Sequence, residues 1–190
     1  LHTADWKIDN GPTIGEKIDI SSFKKIGDDG LLALIGDSTN ADVPGFSKSE
    51  QEVREELIKI FSRYNQRIVV TCFSSNIARM ESIAIAAKKN NRKIALVGRS
   101  MKKTIEAAIK NNIIAENSNF ITEEEASFIP RENLVVICTG SQGEKRSALS
   151  RISYNSHRHI HLEKDDLVIF SSRDIPGNEK SINNLKNLLI

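Results

Sequence analysis

The residues with the most chemical capacity fall in five short clusters, each at the end of an apolar run. They are Asp37-Ser38-Thr39-Asn40, Phe73-Ser74-Ser75-Asn76 with Arg79, Gly98-Arg99-Ser100, Thr139-Gly140-Ser141-Gln142-Gly143-Glu144, and Ser171-Ser172-Arg173 with Gly177-Asn178-Glu179. Backbone amides at Gly and Ser turns just ahead of a helix favour anions, because the helix dipole adds positive potential and Gly lets a ligand approach closely. Arg79, Arg99 and Arg173 add guanidinium forks that match phosphate geometry. The chemistry is recognition of a phosphorylated ligand, with a polynucleotide backbone among the candidates. The same residue types also build turns and helix caps, and Glu81 or Glu144 would serve Arg79 as structural partners. Neither G-x-G-x-x-G nor G-x-x-x-x-G-K-[ST] occurs, so a nucleotide cofactor has no fingerprint here.

Two other constellations lead less far. His157, His159 and His161 are spaced by two, which on a strand places them on one face, where imidazoles could hold a metal. Arg158 and the charged run Glu163-Lys164-Asp165-Asp166 favour an exposed edge strand there instead. Serine hydrolysis lacks its G-x-S-x-G elbow.

The clusters need elements to position them. Leu31 to Ile35 is an apolar run bounded by Gly30 and Gly36, the pattern of a parallel strand covered on both faces. Arg67–Phe73, Lys93–Val97, Asn133–Cys138 and Leu167–Ser171 read as further buried strands. Helices are expected from Ser47, capped with Glu50 and striped by Val53, Leu57, Ile60 and Phe61, to near Tyr64, and over 76–90, 100–112, 123–126, 147–153 and from Gly177 onward. His2–Asp9 and His159–Leu162 alternate polar and apolar residues and read as short strands. Strand and helix alternating in this way predict a three-layer, doubly wound α/β fold with a mainly parallel sheet and all five polar clusters along one edge.

At 190 residues, with 39% hydrophobic and 27% charged residues, the chain can bury roughly 70% of its unfolded surface in a core. A net charge of +2 is too small to argue for nucleic acid by itself, and no apolar run reaches bilayer length. Cys72 and Cys138 each end an expected strand with no partner at metal spacing, which fits free thiols and a cytoplasmic location. The chain begins at Leu1, and Leu185 to Ile190 read as the middle of a helix, so both ends are expected to continue into a longer protein.

Read together, His2-Thr-Ala-Asp-Trp-Lys-Ile-Asp9, Asp37-Ser-Thr-Asn-Ala-Asp-Val-Pro-Gly45, Ser75-Asn-Ile-Ala-Arg79, Gly98-Arg-Ser-Met101, Thr139-Gly-Ser-Gln-Gly-Glu144 and Ile175-Pro-Gly-Asn-Glu179 resemble ribonuclease J, in order and along essentially the whole chain. The resemblance implies a metallo-β-lactamase fold carrying two zinc ions, with an inserted Rossmann-like β-CASP domain that closes over RNA. On that basis residues 1–20 are a short segment of the metallo-β-lactamase fold, and residues 21–190 are a β-CASP domain truncated at its C-terminal end.

The implied activity is 5′-to-3′ exonucleolytic and endonucleolytic hydrolysis of single-stranded RNA. Asp5 matches the carboxylate that bridges the metals in the full-length enzyme. Asp37 matches the first β-CASP motif, a positioning group near the catalytic centre. Ser38, Thr39, Asn76, Arg79, Arg99, Ser100, Gly140, Ser141, Gln142, Gly143, Arg173 and Asn178 are the candidate RNA- and phosphate-binding residues. The H-x-H-x-D-H signature and later histidine motifs fall outside residues 1–190, so this segment alone is expected to bind no zinc and to be inactive. The remaining domains of the same enzyme are its expected partners, in a homo-oligomer. The alternative from the residues themselves is a self-standing module for a small phosphorylated metabolite.

Overall fold

The computed structural model describes residues 1–115 and 120–190, which separate into two compact units, Leu1–Val53 and Arg54–Ile190. The second unit holds the sheet. Its strands are β1 (Ile68–Thr71), β2 (Lys93–Val97), β3 (Phe120–Ile121), β4 (Leu134–Cys138) and β5 (Leu167–Phe170), in the order β3-β2-β4-β1-β5. Every pairing is parallel, so the mainly parallel sheet expected from strand–helix alternation is parallel throughout. β4 lies in the middle, matched to β2 from Lys93↔Leu134 to Val97↔Cys138 and to β1 from Ile68↔Val135 to Thr71↔Cys138.

Helices cover both faces. Val69, Ala95, Val97, Val136 and Cys138 pack on one side with Ala126 of α5 (Glu123–Ala126), Leu149 and Ile152 of α6 (Ala148–Ser153) and Leu185 of α7 (Glu179–Asn187). The alternate residues Ile68, Val70, Ile94, Val135 and Ile137 are equally buried and face the other layer, as the period of two requires. That layer includes α3 (Ile77–Lys89), with Met80 and Ile83 buried, and α4 (Arg99–Lys110), with Met101 and Ile105 buried. Both helices contact β2 and each other. Local capping sets the boundaries: the side chains of Asn76, Thr122 and Ser147 accept from the amides of Arg79, Glu125 and Ser150.

Several expectations change. Leu31–Ile35 is not a buried strand: its one ladder contact is a parallel bridge between Ile35 and His2, and Leu32 and Leu34 are 106% and 64% exposed. A doubly covered strand needs neighbours on both edges, and within Leu1–Val53 only Leu1 to Thr3 pair with it. His2–Asp9 accordingly contributes that bridge alone rather than a strand. The first unit instead forms a helix absent from the sequence reading, α1 (Ile20–Asp28), whose N-cap Asp19 accepts from Ser21 N and Ser22 N. The capping box of α2 (Glu50–Arg63) lies two residues later than expected. Ser49 and Glu52 exchange hydrogen bonds of 3.1 and 2.7 Å, while the Asp9 carboxylate accepts from Glu50 N at 3.0 Å. His159–Leu162 forms no strand and is not an exposed edge, because Ile160 is 1% and the neighbouring His157 3% exposed.

At the opposite edge from the polar turns, Asp166 ties three segments together. Its fully buried carboxylate accepts from Arg131 Nη2 at 2.8 Å and Nε at 3.1 Å, and from Glu163 N at 3.0 Å. Arg67, one residue before β1, approaches it at 3.8 Å. Without Asp166, Arg67, whose side chain is 10% exposed, keeps only the 3.7 Å approach of Glu163 as an acidic partner, a costly state for a mostly buried charge. Asp166→Ala is expected to lower unfolding free energy by about 3 kcal/mol in urea denaturation; a loss too small to resolve would show that Arg131 and Arg67 are satisfied without it.

Candidate functional site

Parallel strands deliver their following turns to one edge, and β2 and β4 are neighbours there. Between their turns lies a cleft of about 880 Å³. One wall is the start of α4. Gly98 is its N-cap, in a left-handed conformation (φ +128°) with no side-chain cap, and Arg99, Ser100 and Lys102 follow it into the cleft lining. A Cβ on Gly98 would lie 3.1 Å from the Thr139 side chain, so glycine lets the two turns approach. The other wall carries Thr139, Lys145, Arg146 and Arg151. Thr139 Oγ1 accepts from Ala148 N at 3.2 Å, which fixes the start of α6 against the end of β4.

Five cationic side chains therefore meet a single lining carboxylate, Glu123 at the start of α5. Glu123 Oε1 is 2.7 Å from Lys102 Nζ, and Oε2 is 3.5 Å from His157 Nε2. His157 is buried, and its Nδ1 accepts from Ile160 N at 3.2 Å, leaving Nε2 to carry the proton toward Glu123. Burial pushes the His157 pKa below the ordinary imidazole value, although Glu123 pulls the other way; Arg151, His159 and His161 lower it further. With one nitrogen given to the backbone and the other facing Glu123, His157 is a packing residue. Among the described residues no group of three or more His, Cys, Asp or Glu side chains is placed to hold a metal.

The remaining clusters are distributed differently. Arg79 donates from Nη1 to Ser171 O at 2.9 Å and Ser171 Oγ at 2.8 Å, linking the turn after β1 to the end of β5. Glu81 is taken by Arg54 at 2.6 Å. Asn76 caps α3. Ser141 and Gln142 are buried, and Gln142 is a peg. It donates from Nε2 to Arg173 O at 2.8 Å and Ser172 Oγ at 3.3 Å, and accepts at Oε1 from Ile175 N at 2.9 Å and Asn178 Nδ2 at 3.3 Å.

Gly140 and Gly143 serve close packing. A Cβ on Gly140 would lie 2.5 Å from Ser147 Oγ, and one on Gly143 would lie 2.5 Å from the Ser181 carbonyl carbon. The Arg173 side chain is exposed. Asp37, Ser38 and Thr39 lie in the first unit, where the Asp37 carboxylate accepts from Thr39 Oγ1 at 2.5 Å and Thr39 N at 2.9 Å. Those two bonds hold its pKa below the usual carboxylate value. Asp5 and Asp37 rim one hollow of about 190 Å³, with His2 beside them.

Of the candidate residues, the structure brings Arg99 and Ser100 into the cleft beside Thr139 and leaves Gly140, Ser141, Gln142 and Gly143 outside its lining, and it engages Gln142, Asn178 and Arg79 in joining the turns. Sequence reasoning missed Lys102, Lys145, Arg146, Arg151 and Glu123. The available signal was basic residues three apart behind a glycine N-cap, and a Lys-Arg pair directly after the Thr139–Glu144 turn.

The five-stranded parallel sheet with helices on both faces defines the class, an α/β domain. Residues 65–189 match the family model of the ribonuclease J β-CASP domain. The chain belongs to the ribonuclease J family. It is 46% identical over 190 residues to ribonuclease J of Sinorhizobium meliloti, covering all of this chain and 34% of that protein. It is 37% identical to ribonuclease J of Thermus thermophilus, covering 100% and 33%, and 35% identical to ribonuclease J2 of Bacillus subtilis, covering 93% and 32%. The chain thus spans about a third of the length of these relatives.

Two outcomes test this geometry. Gly143→Ala forces a side chain into a left-handed backbone (φ +73°) against α7, and is expected to cost about 2–4 kcal/mol, read as a lowered urea midpoint. A variant within error of the parent would mean that α7 shifts freely. The second concerns pH. Unfolded His157 takes up a proton near pH ~6.5, whereas the fold resists it until lower pH. The unfolded state binds more protons across that window, so stability falls as pH drops from about 6.5 through the folded-state value. His157→Gln should flatten this decline in urea midpoints between about pH 7 and about pH 5; an equally steep decline would assign it to other groups.

Proposed function

We propose that this chain is the RNA-contacting, active-site-closing β-CASP portion of a zinc-dependent ribonuclease J that hydrolyses RNA from the 5′ end and internally, and that the segment alone is inactive. The observation that carries this reading is the cationic cleft at the ends of β2 and β4. Arg99 and Lys102 on one wall, and Lys145, Arg146 and Arg151 on the other, offer charge to more than one phosphate. Uncapped amides at the start of α4 suit a phosphate oxygen. Such contacts read backbone charge rather than base identity, so they hold a strand without choosing its sequence. Membership of a nuclease family favours this reading over the small-metabolite module.

The first unit bears on the metal. Residues 1–20 are assigned to the metallo-β-lactamase fold, with Asp5 as its metal-bridging carboxylate. Asp5 is a donor that suits zinc and rims an open hollow, but among the described residues no three such groups are placed to hold a metal, so the further ligands would have to come from elsewhere. Zinc held there would supply a hydroxide near neutral pH and stabilise charge at phosphorus. The hydrogen bonds from Thr39 hold the Asp37 pKa below the usual carboxylate value, so it is an anion at neutral pH, which suits positioning rather than proton donation. Single-stranded RNA, the other domains of the enzyme and a second copy of it are the proposed partners.

The test is a salt titration of RNA affinity in the full-length protein. Arg99→Ala and Arg151→Ala are each expected to weaken binding about equally for different sequences and to flatten the dependence of log K on log salt by roughly 0.7. Melting temperatures should stay near the parent, because both side chains line an open cleft. An unchanged salt slope in both variants would remove the cleft from the RNA path.

A further inference from the structure

We propose that Glu123 is an internal stand-in for phosphate, occupying the cationic cleft and holding Lys102 until a ligand with several phosphates displaces it. The inference rests on the phosphate-binding reading of the cleft. Glu123 is the one acidic side chain lining that cleft among the described residues, against Arg99, Lys102, Lys145, Arg146 and Arg151.

Helix capping does not account for Glu123. The capping box of α5 is already complete, with Thr122 Oγ1 accepting from Glu125 N and the Glu125 carboxylate accepting from Thr122 N. The Glu123 carboxylate points away from that box, toward Lys102 Nζ at 2.7 Å and His157 Nε2 at 3.5 Å. His157 backs it from the buried side, and its Nδ1 is held by the amide of Ile160.

The pair is built to exchange. The side chains of Lys102 and Glu123 are 41% and 22% exposed, a setting in which an ion pair is weakly held and screened by salt. A lone phosphate that replaced Glu123 would trade one anion for another and gain little. A strand gains Arg99, Lys145, Arg146 and Arg151 in the same event, and that surplus drives Glu123 out. Glu123 thereby raises the number of phosphates a ligand must present, and discriminates a polynucleotide from free phosphate. The displaced carboxylate also takes a cation back from solution, which offsets one of those released from the strand.

Glu123→Gln in the full-length protein separates the possibilities. It keeps the size of the side chain and an acceptor for His157, and removes the charge from Lys102. Binding of a short 2′-O-methyl oligouridylate, followed through a salt titration, is expected to tighten about three- to fivefold at low salt, with a slope steeper by roughly 0.7. Inorganic phosphate should compete with the oligonucleotide more effectively in the variant than in the parent. Adding Lys102→Ala should return the slope to the parent value. If Arg99→Ala weakens binding as expected while Glu123→Gln leaves affinity and slope unchanged, or weakens binding, Glu123 is architectural and this proposal falls alone. If neither Arg99→Ala nor Arg151→Ala changes the slope, the reading of the cleft fails and this proposal fails with it.

Discussion

The structure depends on burying β4. Leu134 to Cys138 are each at most 1% exposed, and both edges of the strand are paired. A parallel strand in that position has no wet face, so helices must cover the sheet on both sides, and each crossover must return the chain to the same end. Backbone pairing persists to the turns themselves: Cys72 N donates to Cys138 O and Thr139 N to Val97 O, each at 3.3 Å. The loops that carry the polar clusters thus start from a rigid edge. Cys72 and Cys138 are both buried there outside any disulfide, and burial pushes the Cys138 pKa up, which makes Cys138 an inert packing group.

From that edge the strand ends divide their work. At β1, β4 and β5 the polar groups turn inward on one another. Arg79 fastens two strand ends through Ser171, and Gln142 uses both ends of its amide to hold the loop over residues 172–178. A buried amide satisfied on all sides orders its neighbours, because any misplacement leaves a donor or acceptor without a partner. At β2 and β4 the basic side chains face an open cleft instead. Crowding like charges is tolerable there because water and salt screen them, and because Glu123 neutralises one. The rigid half supports the charged half.

The sequence by itself determined what depends on neighbours a few residues away. The period of apolar residues placed β1, β2, β4 and β5 and most helices within a residue or two, since burial on a strand or helix face repeats at a short fixed interval. Asn76 and Ser147 marked helix starts because a cap bonds amides two or three residues on. The motifs from His2 to Glu179 carried the resemblance to the family, since their residue types and order are read along the chain regardless of how it folds. Tertiary structure decided what depends on distant partners. The order β3-β2-β4-β1-β5 parts β1 from β2 and β4 from β5, so it alone determined that the Gly98 and Thr139 turns share a cleft while Arg79 meets Ser171, 92 residues away. The same holds for Leu31–Ile35, whose apolar pattern describes a buried strand but cannot supply the neighbouring strands that burial requires. It holds equally for Lys102 and Glu123, each an ordinary surface charge in one dimension, whose pairing exists only because α4 and α5 start beside the same strand edge.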